Sequence, residues 1–139
     1  VAADSTTVQG QRPVPRPDDL SQPFWDATRD KRFLLQQCST CSKYWWIPEL
    51  ACPHCRTETL NWVEGSGRGE VYSYVVMHHS LTPGLAAPYV VAVVTLAEGP
   101  RFLTNIVDIA PDEVEIGMPV QIRFGRAEPY RLPVFAPSR

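Results

Sequence analysis

Cys38-Ser39-Thr40-Cys41 and, ten residues further on, Cys52-Pro53-His54-Cys55 are the stretch that decides how this chain folds. Each C-x2-C turn places two sulfurs about 2.3 Å from a shared centre, and two such turns complete a tetrahedral thiolate set. The gap between the pairs is shorter than the roughly fifteen to twenty residues usual in zinc ribbons, yet two short strands can fill it. Cys38, Cys41, Cys52 and Cys55 are therefore expected to hold one structural Zn2+. Four protein thiolates close the coordination shell and leave no position for a catalytic water. The competing readings are weaker. Two disulfides suit a secreted chain, a redox dithiol needs only one pair, and nothing points to an iron site for electron transfer. His54 lies between ligands, but the paired turns already supply four sulfurs, so it reads as a bystander.

Outward from the cysteines, composition sets the class. The chain has 139 residues, with fourteen prolines and eight glycines, which favour short elements joined by turns. Hydrophobic residues make up 44%, enough for a packed core. The formal charge is −2, whereas a binder that works by neutralising phosphates carries a basic excess. No run of eighteen apolar residues and no signal-peptide pattern occurs, so the cysteines are read in a reducing cytoplasm, with no membrane association. Residue 1 is Val, which favours excision from a longer chain.

Val1–Asp19 lacks periodicity and carries Pro13, Pro15 and Pro17 at alternate positions, so residues 1–20 are expected to form an extended arm. Ser21 is a candidate N-cap for a helix through about Asp30, with Phe24 and Ala27 on one face. Residues 21–60 are assigned to this helix and the ribbon, with strands over Arg32–Gln37 and Tyr44–Leu50. Val1–Leu60 holds too few apolar residues for a core of its own, so metal binding is expected to supply the missing folding free energy, and Tyr44, Trp45, Trp46 and Trp62 to pack beside the knuckles. From Leu60 the signals are all β: Leu60–Glu64, Gly69–His79, Tyr89–Leu96, Arg101–Val107 and Pro119–Phe124, with a hairpin at Glu98-Gly99-Pro100 and a helical turn near Pro111. Residues 61–139 are thus expected to form a five-stranded barrel of the OB type, followed by a docking tail over Tyr130–Phe135. The fold class is mainly β.

Two strands carry apolar residues on both faces, whereas an isolated small barrel buries only its inward face. In Tyr89–Leu96, Tyr89, Val91 and Val93 alternate with Val90, Ala92, Val94 and Leu96. The surplus face requires a cover, either the helix and ribbon or another chain. Val90 and Val94, with Leu132, Val134 and Phe135 of the proline-braced tail, are the candidate partner-interface residues.

Candidate chemistry is sparse. There is no G-x-S-x-G, no HExxH, and no cysteine beyond the four ligands. His78 and His79 are adjacent, so on a strand they face opposite ways, one of them towards a groove at the loop Ser80–Pro88. Arg68, Arg101, Arg123, Arg126 and Arg131 could contact phosphates of a nucleotide-like ligand.

Pro23-Phe24-Trp25, Cys38–Cys55, Gly67-Arg68-Gly69-Glu70-Val71-Tyr72-Ser73-Tyr74, Pro88-Tyr89-Val90-Val91-Ala92, Glu98–Asn105, Ile116–Val120 and Leu132–Phe135 follow one another in the order found in a bacterial and archaeal family. The chain resembles that family, which joins a rubredoxin-like zinc ribbon to an OB-fold. Arg32 departs from it, standing where members often have glycine. The resemblance implies a non-catalytic partner of thiolase-fold enzymes that act on acyl-CoA thioesters. It is similar in particular to the C-terminal domain of an enoyl-CoA hydratase subunit of steroid side-chain degradation. That domain associates with a lipid-transfer-protein-like aldolase performing a retro-aldol cleavage. The implied partners are such an aldolase, in a hetero-oligomer, and acyl-CoA, with His78, His79, Arg68 and Tyr89 as candidate CoA-path residues. The alternatives are a single-stranded nucleic-acid binder using ribbon and aromatics, and a stand-alone acyl-CoA-binding domain.

Overall fold

A computed structural model describes residues 12–138, so residues 1–11 of the expected arm lie outside the described part, and 12–17 have no regular structure. Before the first helix, Ser21 N–H donates to the Asp18 carboxylate at 2.8 Å and Asp18 N–H donates to the Ser21 hydroxyl at 3.2 Å. Helix α1 follows over Gln22–Thr28, with Pro23 in its first turn where no N–H is missed. It ends two residues short of expectation, because the N–H groups of Arg29, Asp30 and Lys31 turn back onto Asp26, Ala27 and Thr28 and Lys31 takes a positive φ of 57°. The face it buries is Phe24, Ala27 and Thr28, the i, i+3, i+4 spacing of a helix lying on a core.

Strands β1 (Leu34–Cys38), β2 (Tyr44–Trp45) and β3 (Leu60–Glu64) form a small antiparallel sheet in the order β2-β1-β3. The expected strand Tyr44–Leu50 is reduced to two residues. Asn61–Glu64, expected in the barrel, instead pair with β1, from Cys38↔Leu60 to Leu34↔Glu64. Gly65-Ser66-Gly67 then hands the chain from ribbon to barrel, with Gly65 N–H bonded to the Phe33 carbonyl.

Five strands close the barrel: β4 (Arg68–Met77), β5 (Tyr89–Leu96), β6 (Arg101–Ile106), β7 (Pro119–Ala127) and β8 (Tyr130–Pro137), in the order β4-β5-β6-β8-β7 with β7 returning to β4. A 3₁₀ turn at Pro111–Glu113 links β6 to β7. The hairpin at Glu98-Gly99-Pro100 forms as read, closed by Leu96 N–H to the Pro100 carbonyl.

The fifth strand is where expectation fails. Tyr130–Phe135 is no docking tail: β8 pairs with β7 through eight partners, from Val120↔Pro137 to Ala127↔Tyr130, and meets β6 in parallel at Ile106↔Phe135. A barrel cannot close without it, since β6 and β7 both pair with it. Pro133 has no N–H to give to the ladder, but its carbonyl accepts the buried Thr104 hydroxyl at 3.0 Å.

The core is shared between the two halves. Phe24, Phe33 and Leu35 of the N-terminal segment are buried in one cluster with Val71, Val94, Phe102, Val120 and Phe135 of the barrel. Phe24 touches both sides, 4.3 Å from the Trp46 ring and 6.3 Å from Phe102 between centroids. The N-terminal segment therefore does not rest on metal alone; its helix and first strand borrow the barrel's core.

Candidate functional site: a four-cysteine centre and its surroundings

The two C-x2-C turns are copies of one knuckle, fourteen residues apart (38 to 52, 41 to 55). In each, the first cysteine's N–H donates 2.9 Å to the carbonyl five residues on, Lys43 or Thr57. The residue after the second cysteine donates back to the first cysteine's carbonyl, Ser42 at 2.8 Å and Arg56 at 2.7 Å. Those two residues carry matching positive φ values, 65° and 63°. Such repetition is what two loops need to present sulfurs to a common point.

All four sulfurs lie within 4.8 Å of one another, with Cys38–Cys55 at 3.5 Å and Cys41–Cys52 at 3.6 Å. A tetrahedron of ~2.3 Å metal–sulfur bonds has edges of about 3.8 Å, so the donor set fits zinc. None is a disulfide. The sulfurs' environments differ. The Thr59 hydroxyl, with the Cys41 and Thr40 N–H groups, pulls the Cys38 thiol down to about 5 against the opposing effect of burial. Cys41 receives the Lys43 N–H, which lowers it, but burial and the neighbouring sulfurs outweigh that and push it up to about 11. Four thiolates this close ionise together only when a cation shares their charge.

Beside the knuckles, a groove of about 840 Å³ runs between the ribbon and the β5–β6 hairpin, lined by Lys43, Tyr44, Trp45 and Trp46 on one wall and Glu98, Pro100 and Arg101 on the other. Of the aromatic residues expected near the metal, Trp45 lies outside the shared core cluster and lines the groove, whereas the other three pack on that cluster, with Trp46 5.0 Å from Phe102 and Tyr44 and Trp62 resting on the same core. Rings so engaged do not form a stacking platform for bases.

The candidate interface residues are misassigned. Val90, Val94 and Phe135 belong to the buried core, Val134 is buried on the opposite face of β8, and Leu132 is half-buried. The other parity of β5 points outward. Val91 pairs with Val75, Val93 pairs with Leu103, and Val75 and Leu103 are 55% and 69% exposed, so this row is the apolar surface. The candidate CoA-path residues do not converge either. Tyr89 pairs with Met77 at the end of β4 that leads into His78 and His79. Arg68 starts that strand, about 30 Å away at the strand rise of ~3.3 Å per residue. Both histidines lie beyond the strand and are exposed, and the hollow in the following loop is lined by Ser80–Ala86. Among the other arginines, Arg101 lies 3.8 Å over the Tyr72 ring, and Arg123 and Arg126 face Asp108 and Glu128 at 3.7 and 3.8 Å.

What the sequence reading missed is the hydroxyl cluster on one edge of the sulfurs. Thr59 Oγ1 is 3.2 Å from Cys38 Sγ and Thr57 Oγ1 is 3.1 Å from Cys55 Sγ. The run Thr57-Glu58-Thr59 just after the last ligand was the available signal, since alternate residues leaving a knuckle return to the same side.

A four-thiolate ribbon sharing its core with a closed five-stranded barrel defines a zinc-ribbon and OB-fold protein. Residues 25–61 match the ChsH2 rubredoxin-like zinc ribbon domain and residues 62–125 the ChsH2 C-terminal OB-fold domain. A probable enoyl-CoA hydratase alpha subunit of Thermomonospora curvata is 45% identical over 127 residues, 89% of this chain and 40% of that protein. A DUF35 domain-containing scaffold protein of Methanocaldococcus jannaschii is 38% identical, over 73% of this chain and 74% of that protein. The 3-oxo-4,17-pregnadiene-20-carboxyl-CoA hydratase alpha subunit of Mycobacterium tuberculosis is 36% identical over 73% of this chain and 32% of that protein. A solved structure described as an Ltp2-ChsH2(DUF35) aldolase superposes with a TM-score of 0.82 at 43% identity, covering 88% of this chain and 98% of that one. The chain belongs to the ChsH2 (DUF35) family of zinc-ribbon and OB-fold domains. It spans 40% and 32% of the two hydratase subunits it matches. Its cofactor is a structural zinc ion. No helix among the described residues is long and apolar enough to cross a membrane.

Proposed function

We propose that this domain is a non-catalytic accessory subunit that binds and supports a thiolase-fold, lipid-transfer-protein-like aldolase, and that the reaction served is the retro-aldol cleavage of a steroid side-chain acyl-CoA. The observation that carries this reading is a molecule with its chemistry closed and one face left open. Its metal donors are four thiolates, which leave no position for substrate. The barrel interior is filled by Val71, Val90, Val94, Phe102, Val120 and Phe135. The outer face of β4, β5 and β6 presents Val75, Val91, Val93 and Leu103, an apolar row suited to burial against a partner. The resemblance to a solved structure described as an Ltp2-ChsH2(DUF35) aldolase, and to a 3-oxo-4,17-pregnadiene-20-carboxyl-CoA hydratase alpha subunit, supports the identity of that partner and substrate class. We assign His78, His79 and Tyr89, gathered at one end of β4 and β5, to the path of the CoA moiety, and the complex to the cytoplasm, where the thiols stay reduced.

The test is co-expression of an Ltp2-type aldolase with and without this chain, followed by size-exclusion chromatography and an assay of acyl-CoA cleavage. Soluble, active aldolase only in its presence is the expected result; an aldolase equally soluble and active alone overturns the proposal. In the same assay Val75→Asp/Leu103→Asp reduces complex formation at least tenfold with the melting temperature unchanged. Undiminished binding by that variant removes the surface assignment and leaves the accessory role standing.

A further inference from the structure

The hydroxyl cluster makes the two edges of the metal site chemically unequal. Thiolates only accept hydrogen bonds, so Thr59 Oγ1, 3.2 Å from Cys38 Sγ, and Thr57 Oγ1, 3.1 Å from Cys55 Sγ, stand as donors to them. Thr57 and Thr59 are 2.7 Å apart, and Thr40 Oγ1 adds a third hydroxyl 3.2 Å from Thr59. Thr57 can thus donate directly to Cys55, or to Thr59 while Thr59 donates to Cys38. Either route ends on a sulfur of this edge, and linked hydroxyls strengthen one another. Among the described residues, no hydroxyl reaches Cys41 or Cys52, whose sulfurs have each other at 3.6 Å.

The knuckle repeat supplies an internal control. Cys41 and Cys55 occupy equivalent positions and are both partly exposed. Two residues beyond them stand Lys43 and Thr57, so the second knuckle has a side-chain hydroxyl on its sulfur where the first has none. Hydrogen bonds to a metal-bound sulfur withdraw the electron density that makes it a nucleophile.

We propose that Thr57 and Thr59 form a hydroxyl clamp on Cys38 and Cys55 that leaves Cys41 as the reactive corner of the zinc site, the point at which electrophiles open it. With iodoacetamide as the electrophile, the Cys41 sulfur pair forms a bond to the methylene carbon as the C–I bond breaks and iodide departs. The resulting thioether carries no charge and is a poor zinc ligand, so metal release follows.

The experiment uses the zinc-loaded full chain exposed to iodoacetamide, with timed quenching, peptide mass spectrometry of each cysteine, and colorimetric detection of released zinc. Wild type is expected to be modified at Cys41 first, with Cys55 about tenfold slower, the lower end of outer-shell effects on metal sites. Thr57→Val removes the hydroxyl at nearly constant volume and brings Cys55 to within about twofold of Cys41, while Thr57→Ser restores the wild-type order. The Co2+-loaded Thr57→Val/Thr59→Val chain shifts its sulfur-to-metal charge-transfer bands, a readout independent of reactivity. Equal rates at Cys41 and Cys55 in wild type overturn the proposal, and so does a Thr57→Val chain with unchanged order. Should the Val variant fail to bind metal, the wild-type order and the Ser variant still decide.

Discussion

Replacing Phe24 by Ala is the perturbation that most directly probes how ribbon and barrel are joined. Phe24 is fully buried, and its ring meets Trp25 at 5.1 Å, Trp46 at 4.3 Å, Phe33 at 6.1 Å and Phe102 at 6.3 Å, so one side chain ties helix, ribbon and barrel. Truncating a buried Phe costs about 3–5 kcal/mol, part lost transfer free energy and part the cavity left among rings that cannot collapse. Each aromatic contact beyond simple burial is worth ~0.5–1.5 kcal/mol, which places this site towards the upper half of that range. With an m-value of about 1.5 kcal/mol/M in urea, a loss of ~4 kcal/mol lowers the midpoint by roughly 2.5 M. The assay is urea unfolding of the zinc-loaded chain, followed both by tryptophan fluorescence, which reports the ribbon side, and by far-UV circular dichroism, which reports the barrel strands. A shared core requires the two probes to coincide in wild type and to move together in the variant. A shift corresponding to less than ~1 kcal/mol, or a change confined to fluorescence while the barrel transition stays put, would refute the reasoning.

Chelation of zinc is expected to release the knuckle segments 39–43 and 50–59 while sparing α1, β1, β2 and the barrel, because Phe24, Phe33, Leu35 and Trp46 remain packed on the shared core and the Gln36 side chain holds the Glu49 backbone, whereas the knuckles depend on the sulfurs. Hydrogen exchange checks this: amides of 39–43 and 50–59 lose protection and those of β5 and β6 keep it, whereas loss of protection throughout would show that the metal supports the whole fold. Gly67→Ala is expected to cost about 2 kcal/mol and to lower Tm by ~5–10 °C. Gly67 sits at a φ of +73° and a Cβ there would lie 2.5 Å from Ile122 Cγ2; an unchanged melting temperature contradicts this.

The metal site was legible because its chemistry is local: two C-x2-C turns declare four sulfurs whatever the rest of the chain does. The barrel was legible as a class but not in its membership. Leu60–Glu64 reads as a strand without revealing that its neighbour is β1, since pairing is a non-local fact. Tyr130–Phe135 reads as a braced tail because proline argues against a central strand, and only ring closure reveals that β6 and β7 need it.

The inversion of β5 has a more instructive cause. Alternation tells which residues share a face but not which face is inside, and when both faces are apolar the usual tie-breaker of polarity is gone. Gly69 could have broken the tie. It pairs with Leu96 on one side and Val120 on the other, both buried, and a Cβ there would meet Thr95 O at 2.5 Å and Val94 Cγ1 at 2.7 Å. A glycine within a strand at the crowded start of a closing barrel marks an inward position. From it parity runs inward to Val71, and the bulge at Tyr72 carries it on to Tyr74 and Val76, whose partners Ala92 and Val90 are buried. That one residue therefore assigns Val90 and Val94 to the core and Val91 and Val93 to the outer face, where a partner would find them.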